Sequence, residues 1–302
     1  MADQAEKLRA LVNALPREGT DSDTSGTIGK TDSPAKSGGV IAVTSGKGGV
    51  GKSNLSLNLA IALQEIGKNP VVIDTDVGFA DVEVLVGLQP HYTLLDVVAG
   101  VSIDQALTLT PNGLPFLAAG SGLLNIHDIS ETKLQRFLQE MDGLQKRFDW
   151  VVVDCGAGLG KNVGRILAAA DEMLLVTTPE PTSIADAYAL LKMLAVNQAF
   201  PITRVVVNRA KTFAEARVTA EKLQRASHRF LGVSLELLGF VLEDGAVGRS
   251  VKAQTPLLLA FPRSPAAGCI RQLAYNYLKI TKKPDFKGGL RGFFQRLLTS
   301  KT

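Results

Sequence analysis

The sequence predicts a doubly wound α/β fold, in which a mainly parallel β-sheet carries helices on both faces. Segments of helical period alternate with short strands, as in chains that cross over between parallel strands. A glycine-rich loop joins the first strand to the helical segment that follows it. Functional residues are therefore expected at the carboxyl ends of the strands. The strands are predicted from continuously apolar, β-branched runs, typical of strands buried on both faces, that begin at residues 40, 71, 114, 150, 173, 204 and 237.

Length and composition are compatible with one large domain flanked by tails. The chain has 302 residues, of which 45% are hydrophobic and 21% charged, so it can bury a sizeable core. The net charge is +4, and basic residues crowd the segment from Lys279 to Lys301. The two cysteines form no CxxC pattern, which argues against a disulfide framework and against a zinc or iron–sulfur site. With no signal peptide and no apolar run of ~18 residues, a cytoplasmic protein without a membrane span is expected.

Four segments are predicted along the chain. Residues 1–15 carry apolar side chains at helical spacing, which predicts a short amphipathic helix. Residues 16–39 are rich in Ser, Thr, Gly, Asp and Pro, which predicts a flexible linker. Residues 40–283 make up the α/β domain. Residues 284–302 comprise a breaker-rich, basic linker and a terminal helix.

The glycine-rich loop matches a phosphate-binding pattern in the right structural context. Residues 46–53 read GKGGVGKS and satisfy GxxxxGK[ST] between a strand and a helical run. Backbone N–H groups of such a loop wrap a phosphate, and the following helix points its positive end at the anion. Lys52 is expected to reach the β and γ oxygens, and the Ser53 hydroxyl to ligate Mg²⁺. A glycine-rich turn without a ligand is the alternative. The expected nucleotide-binding residues of the loop are Gly46, Lys47, Gly48, Gly49, Val50, Gly51, Lys52, Ser53 and Asn54.

The second lysine of the loop, Lys47, points to a family. The form KGGxGK[ST] resembles the deviant P-loop of the family that contains MinD, ParA and the nitrogenase iron protein. In that family this lysine reaches the nucleotide of a partner subunit, so the resemblance implies an ATPase that hydrolyses ATP as a homodimer. ATP or ADP and Mg²⁺ are the implied cofactors, and Lys47, Lys52 and Asp76 the implied catalytic residues. A solvated loop lysine is the alternative interpretation.

Two further strand ends are similar to the switch regions of the same family. Asp76, in DTDVGFAD, matches the acidic residue that orients the attacking water, and phosphoryl transfer depends on such positioning. Asp154, in DCGAG, matches the carboxylate that holds the Mg²⁺ shell. Ser53, Asp76 and Asp154 are thus the implied metal-site residues. The departures from the family pattern are Asp81, Glu83 and Lys161.

Three more residues correspond to family positions at the nucleotide. Asn208 matches an asparagine that reads the adenine edge, since one amide both donates and accepts. Glu180 and Asp186 match positions that, in MinD relatives, face the partner subunit's nucleotide or its signature lysine. Capping of a helix N-terminus and compensation of its dipole is the alternative role for both acidic residues.

Within the family, the chain resembles the FlhG (FleN, YlxH) group of flagellar number regulators. The resemblance rests on DQAEKLR at 3, EPTSIADAYALLK at 180 and AFPRS at 260. It implies that the first helix, through Gln4, stimulates FlhF, a GTPase of the signal-recognition-particle type, and that a flagellar C-ring switch protein is a further partner. A MinD-type division-site regulator and a ParA-type DNA-segregation ATPase are the alternatives. The modest net charge argues against a DNA-binding surface, so no specific nucleic acid is expected.

The terminal helix is predicted to be a reversible membrane anchor. Its large apolar residues fall on one stripe with basic residues beside it, as in helices that lie in a membrane interface. The helix also resembles the membrane-targeting helix of FlhG and MinD, which implies reversible association with the inner face of the cytoplasmic membrane at a cell pole. A core helix that docks on the sheet is the alternative. The stripe consists of Leu290, Phe293, Phe294, Leu297 and Leu298.

Overall fold

The computed structural model describes residues 39–76, 81–120, 130–197, 200–280 and 289–299. Eight strands form one sheet in the order β3-β4-β2-β5-β1-β6-β7-β8. The strands are β1 (Gly39–Thr44), β2 (Pro70–Asp74), β3 (Thr108–Leu109), β4 (Pro115–Ala118), β5 (Trp150–Asp154), β6 (Glu172–Thr177), β7 (Ile202–Ala210) and β8 (Glu236–Leu242). Every neighbouring pair is parallel except β3 and β4. The predicted fold class is confirmed, and all seven predicted strands are present.

Helices cover both faces of this sheet. They are α1 (Lys52–Glu65), α2 (Asp81–Val86), α3 (Leu94–Ala99), α4 (Ile103–Ala106), α5 (Glu131–Arg147), α6 (Lys161–Ala169), α7 (Pro181–Val196), α8 (Phe213–Leu231), α9 (Gly245–Lys252), α10 (Leu257–Ala260), α11 (Pro265–Ile280) and α12 (Gly289–Thr299). Because side chains alternate along a strand, each strand contributes to two cores. Ile41 and Val43 pack with α1 and α11, whereas Val40 and Ala42 pack with α5 to α8 and α12. We call these the α1 face and the α8 face.

Helix α1 is buried on almost every side. It lies between the sheet and α11, and even the polar residues Ser56 and Asn58 are fully buried. The Asn58 side chain donates to the Asn54 carbonyl oxygen (2.8 Å) and accepts from the Leu258 N–H (3.0 Å), so it ties α1 to α10. This packing holds the N-terminus of α1, and with it the glycine-rich loop, in one place above the sheet.

The terminal helix α12 is docked with its apolar stripe buried, which is the alternative considered for this segment, and its role as a membrane anchor stays a prediction. Phe293 and Phe294 are completely buried on the α8 face, together with Leu290 and Leu297, and Leu298 is partly buried. The stripe fits between α5 and α6, where the ring of Phe294 meets Phe137 edge to face at 5.0 Å. Spacing predicted the stripe correctly, but a stripe of this kind packs equally well on a protein core.

Polar contacts at both ends reinforce the docking of α12. The Leu290 N–H donates to the side chain of Gln145 on α5 (2.9 Å). At the other end, Arg165 of α6 donates to the Leu297 carbonyl oxygen (2.8 Å), while Arg296 donates to that of Ala169 (3.1 Å). Helices α6 and α12 therefore satisfy each other's terminal carbonyl groups, which otherwise lack partners.

The two predicted N-terminal segments, a helix at residues 1–15 and a linker at residues 16–39, lie outside the described residues. The exception is Gly39, which begins β1. Among the helices in the described ranges, none is long and apolar enough to cross a bilayer.

Candidate nucleotide-binding site

The glycine-rich loop sits at the carboxyl end of β1 and owes its path to two kinds of glycine. Gly49 and Gly51 adopt φ angles of 77° and 89°, a left-handed region that residues with a Cβ rarely occupy. Gly46 is different, because a Cβ there would overlap the backbone carbonyl group of Asp186 on α7. The loop is therefore bent by two glycines and seated against α7 by a third.

Lys52 and Ser53 open helix α1 at the floor of a cleft of about 880 Å³. The Lys52 ammonium group lies 3.4 Å from the Asp154 carboxylate and 3.2 Å from the Ser53 hydroxyl. Ser56, one turn further along, donates to the same carboxylate oxygen at 2.9 Å. A buried cation at the positive end of a helix is suited to hold the phosphate groups of a nucleotide.

Three carboxylates converge beside this lysine. Asp74 and Asp154 end neighbouring strands and are paired in register, and Asp76 follows two residues after Asp74. Asp74 accepts hydrogen bonds from the N–H groups of Asp76 (3.0 Å) and Val82 (3.1 Å). It therefore contacts the chain on both sides of the segment that resembles the first switch region. Burial raises the pKa of Asp74 to about 7, and the nearby Asp154 carboxylate adds to the rise. From the sequence, Asp74 is interpreted only as a structural residue earlier on the strand than Asp76.

These residues fit a magnesium ion. Carboxylate and hydroxyl oxygens are the ligands that Mg²⁺ prefers. Burial raises the pKa of Asp74, and the neighbouring carboxylates of Asp154 and Asp76 add to the rise, so a divalent cation would neutralise negative charge here. Ser53, Asp76 and Asp154 would hold the ion or its water shell, as their sequence positions imply.

Lys47 projects from the loop and contacts its own chain. Its ammonium group donates to the Glu180 carboxylate (2.9 Å) and to the Thr182 hydroxyl (3.1 Å) at the start of α7. The hydrogen bond and charge of Lys47 hold the pKa of Glu180 below its usual range. Glu180 occupies the N-cap position, but its side chain makes no capping hydrogen bond, so the capping role considered for it is not seen. Asp186, one turn along, meets the loop through its backbone.

Asn208 lies in a second cleft, of about 400 Å³, that adjoins the loop. Its amide donates to the Val50 carbonyl oxygen (2.7 Å) and accepts from the Arg209 N–H (2.9 Å). Asn54 and Gly51 line the same cleft. The structure thus brings Asn208 to the loop, and its reading of an adenine edge remains a prediction.

Other predicted or conspicuous residues lie away from the clefts. Gln4 is outside the described residues. The α12 stripe is buried between α5 and α6, away from the glycine-rich loop. Cys155 directly follows Asp154 but is completely buried, and burial raises the pKa of its thiol, so it is an inert core residue and not a nucleophile.

Comparisons with known proteins agree with this site. Residues 37–277 match a family model described as ParA, NUBPL iron-transfer P-loop NTPase. The chain is 38% identical to the antiactivator FleN of Pseudomonas aeruginosa, over 86% of this chain and 93% of that protein. This chain is a FlhG/FleN-type, MinD-like P-loop ATPase. It is also 34% identical to the flagellum site-determining protein YlxH of Helicobacter pylori, over 85% of this chain and 89% of that protein.

Solved structures of MinD share the fold of this FlhG/FleN-type ATPase. The MinD of the MinC:MinD cell division complex from Aquifex aeolicus superimposes with a TM-score of 0.65 at 27% identity, over 80% of this chain and 96% of that chain. The MinD of Pyrococcus horikoshii, solved with Mg-ADP, gives a TM-score of 0.63 at 24% identity, over 80% of this chain and 97% of that chain. The assignment of the fold therefore rests on sequence and on structure.

Proposed function

We propose that this FlhG/FleN-type ATPase dimerises when it binds ATP and controls the number or placement of flagella. The observation that carries the proposal is the similarity to FleN and YlxH over more than four fifths of the chain, combined with a complete P-loop site. Hydrolysis of ATP to ADP and phosphate would then reset the dimer to single chains.

Each residue of the cleft has a proposed part in hydrolysis. Lys52 stabilises charge on the β and γ oxygens, and Asp76 orients the attacking water. A bound Mg²⁺, held through Ser53 and Asp154, would supply further neutralisation of the phosphate charge. Asn208 and the adjoining cleft receive the base.

The position of Lys47 supports a role for a second chain. Its contact with Glu180 and Thr182 is exposed, with 38% of the lysine side chain accessible. An exposed ion pair of this kind contributes little to stability because solvent screens it, so Lys47 is easily released. In the proposed dimer it turns to the partner's nucleotide, and Glu180 and Asp186 face the same interface.

Variants of the cleft test the dimer by light scattering. Asp76→Ala should bind ATP with Mg²⁺, hydrolyse it slowly and persist as a dimer, because water is no longer oriented. Lys52→Ala should remain monomeric under the same conditions, since it cannot retain ATP. An Asp76→Ala protein that stays monomeric with bound ATP would contradict the proposal.

Membrane association is proposed to require release of α12 from its groove. Docking buries four large apolar side chains completely, and each contributes about 1.5–3 kcal/mol when shielded from water. Exposing them in solution is therefore unfavourable, whereas insertion into a bilayer recovers the burial. A single helix of this size gives marginal attachment, so two copies in a dimer are needed.

Sedimentation with vesicles tests the anchor. ATP with Mg²⁺ should promote binding, and Phe293→Glu or deletion of residues 288–302 should abolish it. Equal binding with ADP and ATP would remove the link to dimerisation. Unchanged binding of the deletion variant would remove the anchor itself.

The first helix is proposed to act on an FlhF-type GTPase. A peptide of residues 1–15 should raise GTP hydrolysis by that partner, and the Gln4→Ala peptide should not. Equal stimulation by both peptides would contradict a specific role for Gln4. A pull-down with and without ATP would test the proposed flagellar C-ring partner.

Control of a cell-division site is the second candidate. It is favoured by 30% identity to the septum site-determining protein MinD of Bacillus subtilis, over 80% of this chain and 89% of that protein. A fluorescent fusion at a flagellated pole would favour the flagellar function, and one at mid-cell the division function. A nucleoid pattern would instead support a DNA-segregation function.

A further inference from the structure

Helix α8 presents a basic face to solvent. Basic residues recur about once per turn along its exposed side, and they are Arg217, Lys222, Arg225 and Arg229. The helix has two acidic residues, Glu215 and Glu221. Glu215 accepts from the Lys211 N–H, and Glu221 pairs with Arg217 at 3.1 Å.

The other three basic residues carry surplus charge. Within the described ranges, no carboxylate lies at ion-pair distance from Lys222, Arg225 or Arg229. Arg225 donates to the backbone oxygen of Glu221 (3.3 Å), and Arg229 lies over the ring of Phe230 at 5.3 Å. These contacts orient the guanidinium groups without neutralising them, so the face remains positive.

Large apolar side chains accompany this charge. Phe213 at the start of α8 and Phe230 near its end are 60% and 66% exposed, and Val218 between them is 46% exposed. Exposed aromatic rings beside arginines are typical of surfaces at the boundary between water and lipid.

The position of α8 relates it to the proposed anchor. Its inner residues Ala216 and Leu223 belong to the same core as Phe293 and Leu297 of α12. Both helices therefore cover the α8 face of the sheet, with α12 over β1 and α8 over β7 and β8. Stable peripheral attachment generally takes two signals, such as one apolar anchor and one basic patch.

We propose that the exposed side of α8 binds anionic phospholipid headgroups and acts as the second signal beside α12. This inference rests on the proposed membrane association and adds the lipid chemistry to it. Charge complementarity selects anionic lipids, because each Lys or Arg near such a surface strengthens binding by about fivefold. The exposed side of α8 thus selects membranes that carry anionic lipids, and α12 provides the apolar side chains that insert.

The test uses the full chain with ATP and Mg²⁺ and vesicles of phosphatidylcholine, with or without about one third phosphatidylglycerol. Replacement of two charges, Arg225→Gln with Arg229→Gln, should weaken binding to the anionic vesicles by about 25-fold. Binding to neutral vesicles and hydrolysis without lipid should not change. A matched pair, Arg263→Gln with Lys68→Gln, removes two solvent-accessible charges away from the α8 face and should bind as the unmodified chain does.

The outcomes separate this inference from the proposed anchor. Unchanged binding of the α8 variant to anionic vesicles overturns the inference and leaves the anchor intact. Loss of binding in the α8 variant, with full binding after deletion of residues 288–302, overturns the anchor and supports the inference. If the α8 variant instead loses only its binding to duplex DNA, the face serves nucleic acid and the inference is wrong. An unmodified chain that binds no vesicles overturns both.

Discussion

Two clusters of buried charge lie at opposite edges of the same sheet and are built differently. At the carboxyl edge, Lys52 lies 3.4 Å from Asp154, and Asp74 lies beside them at the end of the neighbouring strand. This cluster opens into the large cleft. At the amino edge, Arg204 is buried at the start of β7 between Glu172 and Glu236, which begin the two flanking strands.

The amino-edge cluster is closed by its own side chains. Arg204 forms an ion pair with Glu172 and lies 3.2 Å from Glu236. The Tyr277 hydroxyl donates to Glu172 at 2.9 Å, and the Tyr277 ring lies 5.3 Å below the guanidinium group. Trp150 packs against that ring edge to face. Arg204, Glu172 and Tyr277 are buried against one another, whereas the side chain of Glu236 is 49% exposed.

The difference shows how to tell a ligand site from a structural ion pair in one fold. Closure by aromatic side chains indicates a structural role. Carboxylates outnumber the cation in both clusters, so the open cleft beside the carboxyl-edge cluster is what indicates a ligand site. The comparison predicts that substitutions at the carboxyl edge change binding, whereas those at the amino edge change stability.

The largest effect is expected for Lys52→Ala. Loss of the lysine removes the cation that meets the phosphates, so the affinity for ATP should fall at least about 100-fold. Without nucleotide, the melting temperature should fall less than it does for Arg204→Ala, because Ser56 still donates a hydrogen bond to the buried Asp154 carboxylate. Calorimetric titration and thermal melts measure both, with Lys192→Ala on the exposed side of α7 as the control. Tight ATP binding by Lys52→Ala would break the comparison.

Arg204→Ala should do the reverse. It leaves Glu172 buried without its cationic partner, which should lower the free energy of unfolding by about 3–5 kcal/mol. Folded protein should still bind ATP normally. Urea unfolding measures the loss, and Arg225→Ala, at an exposed arginine, should cost less than about 0.5 kcal/mol. A loss below 1 kcal/mol for Arg204→Ala would show that the cluster is not structural.

A smaller effect concerns pH and Glu172. Burial, partly offset by Arg204, raises the pKa of Glu172 above its ordinary value of 4.5. The stability that a raised carboxyl pKa contributes is complete below the unfolded value and is lost as pH rises through the folded value. In the unmodified chain, the free energy of unfolding should decline above pH 4.5, by about 1.4 kcal/mol for each unit by which the folded pKa of Glu172 exceeds its unfolded value. The Glu172→Gln variant has no titrating group at this position and should not show the decline. Parallel pH curves for the two proteins would contradict this, and Glu221→Gln serves as the exposed control.

Much of this architecture was predictable from the sequence, and the failures have physical causes. Continuous apolar runs predicted seven strands, because a strand that is buried on both faces carries apolar side chains at successive positions. Strand β3 was missed since two residues have no periodicity. The amino-edge cluster was missed because Arg204 and Glu172 are 32 positions apart, and strand pairing alone brings them together. For α12, one apolar stripe was compatible with lipid and with a protein groove.

The candidate site was predictable to a different depth. Motif spacing placed the loop, Asp76 and Asp154 at one edge of the sheet, because parallel strands align their carboxyl ends. The contact between Lys47 and Glu180 within one chain was not predicted, since a motif assigns a residue to a position and not to a conformation. Asp74 was given only a structural role, because its two hydrogen bonds go to backbone groups, which leave no mark in the sequence.

The glycines of the loop are required for two different reasons, one for folding and one for ligand binding. A side chain at Gly46 would collide with α7 whether or not ATP is bound, whereas a Cβ at Gly48 meets nothing within 4 Å. Gly48 has no such need in the free protein, so its requirement arises only when a phosphate approaches. A library of all substitutions, sorted first for folded protein and then for ATP binding, would lose Gly46 variants in the first round and Gly48 variants in the second. The motif would then divide into glycines that folding requires and glycines that ligand binding requires.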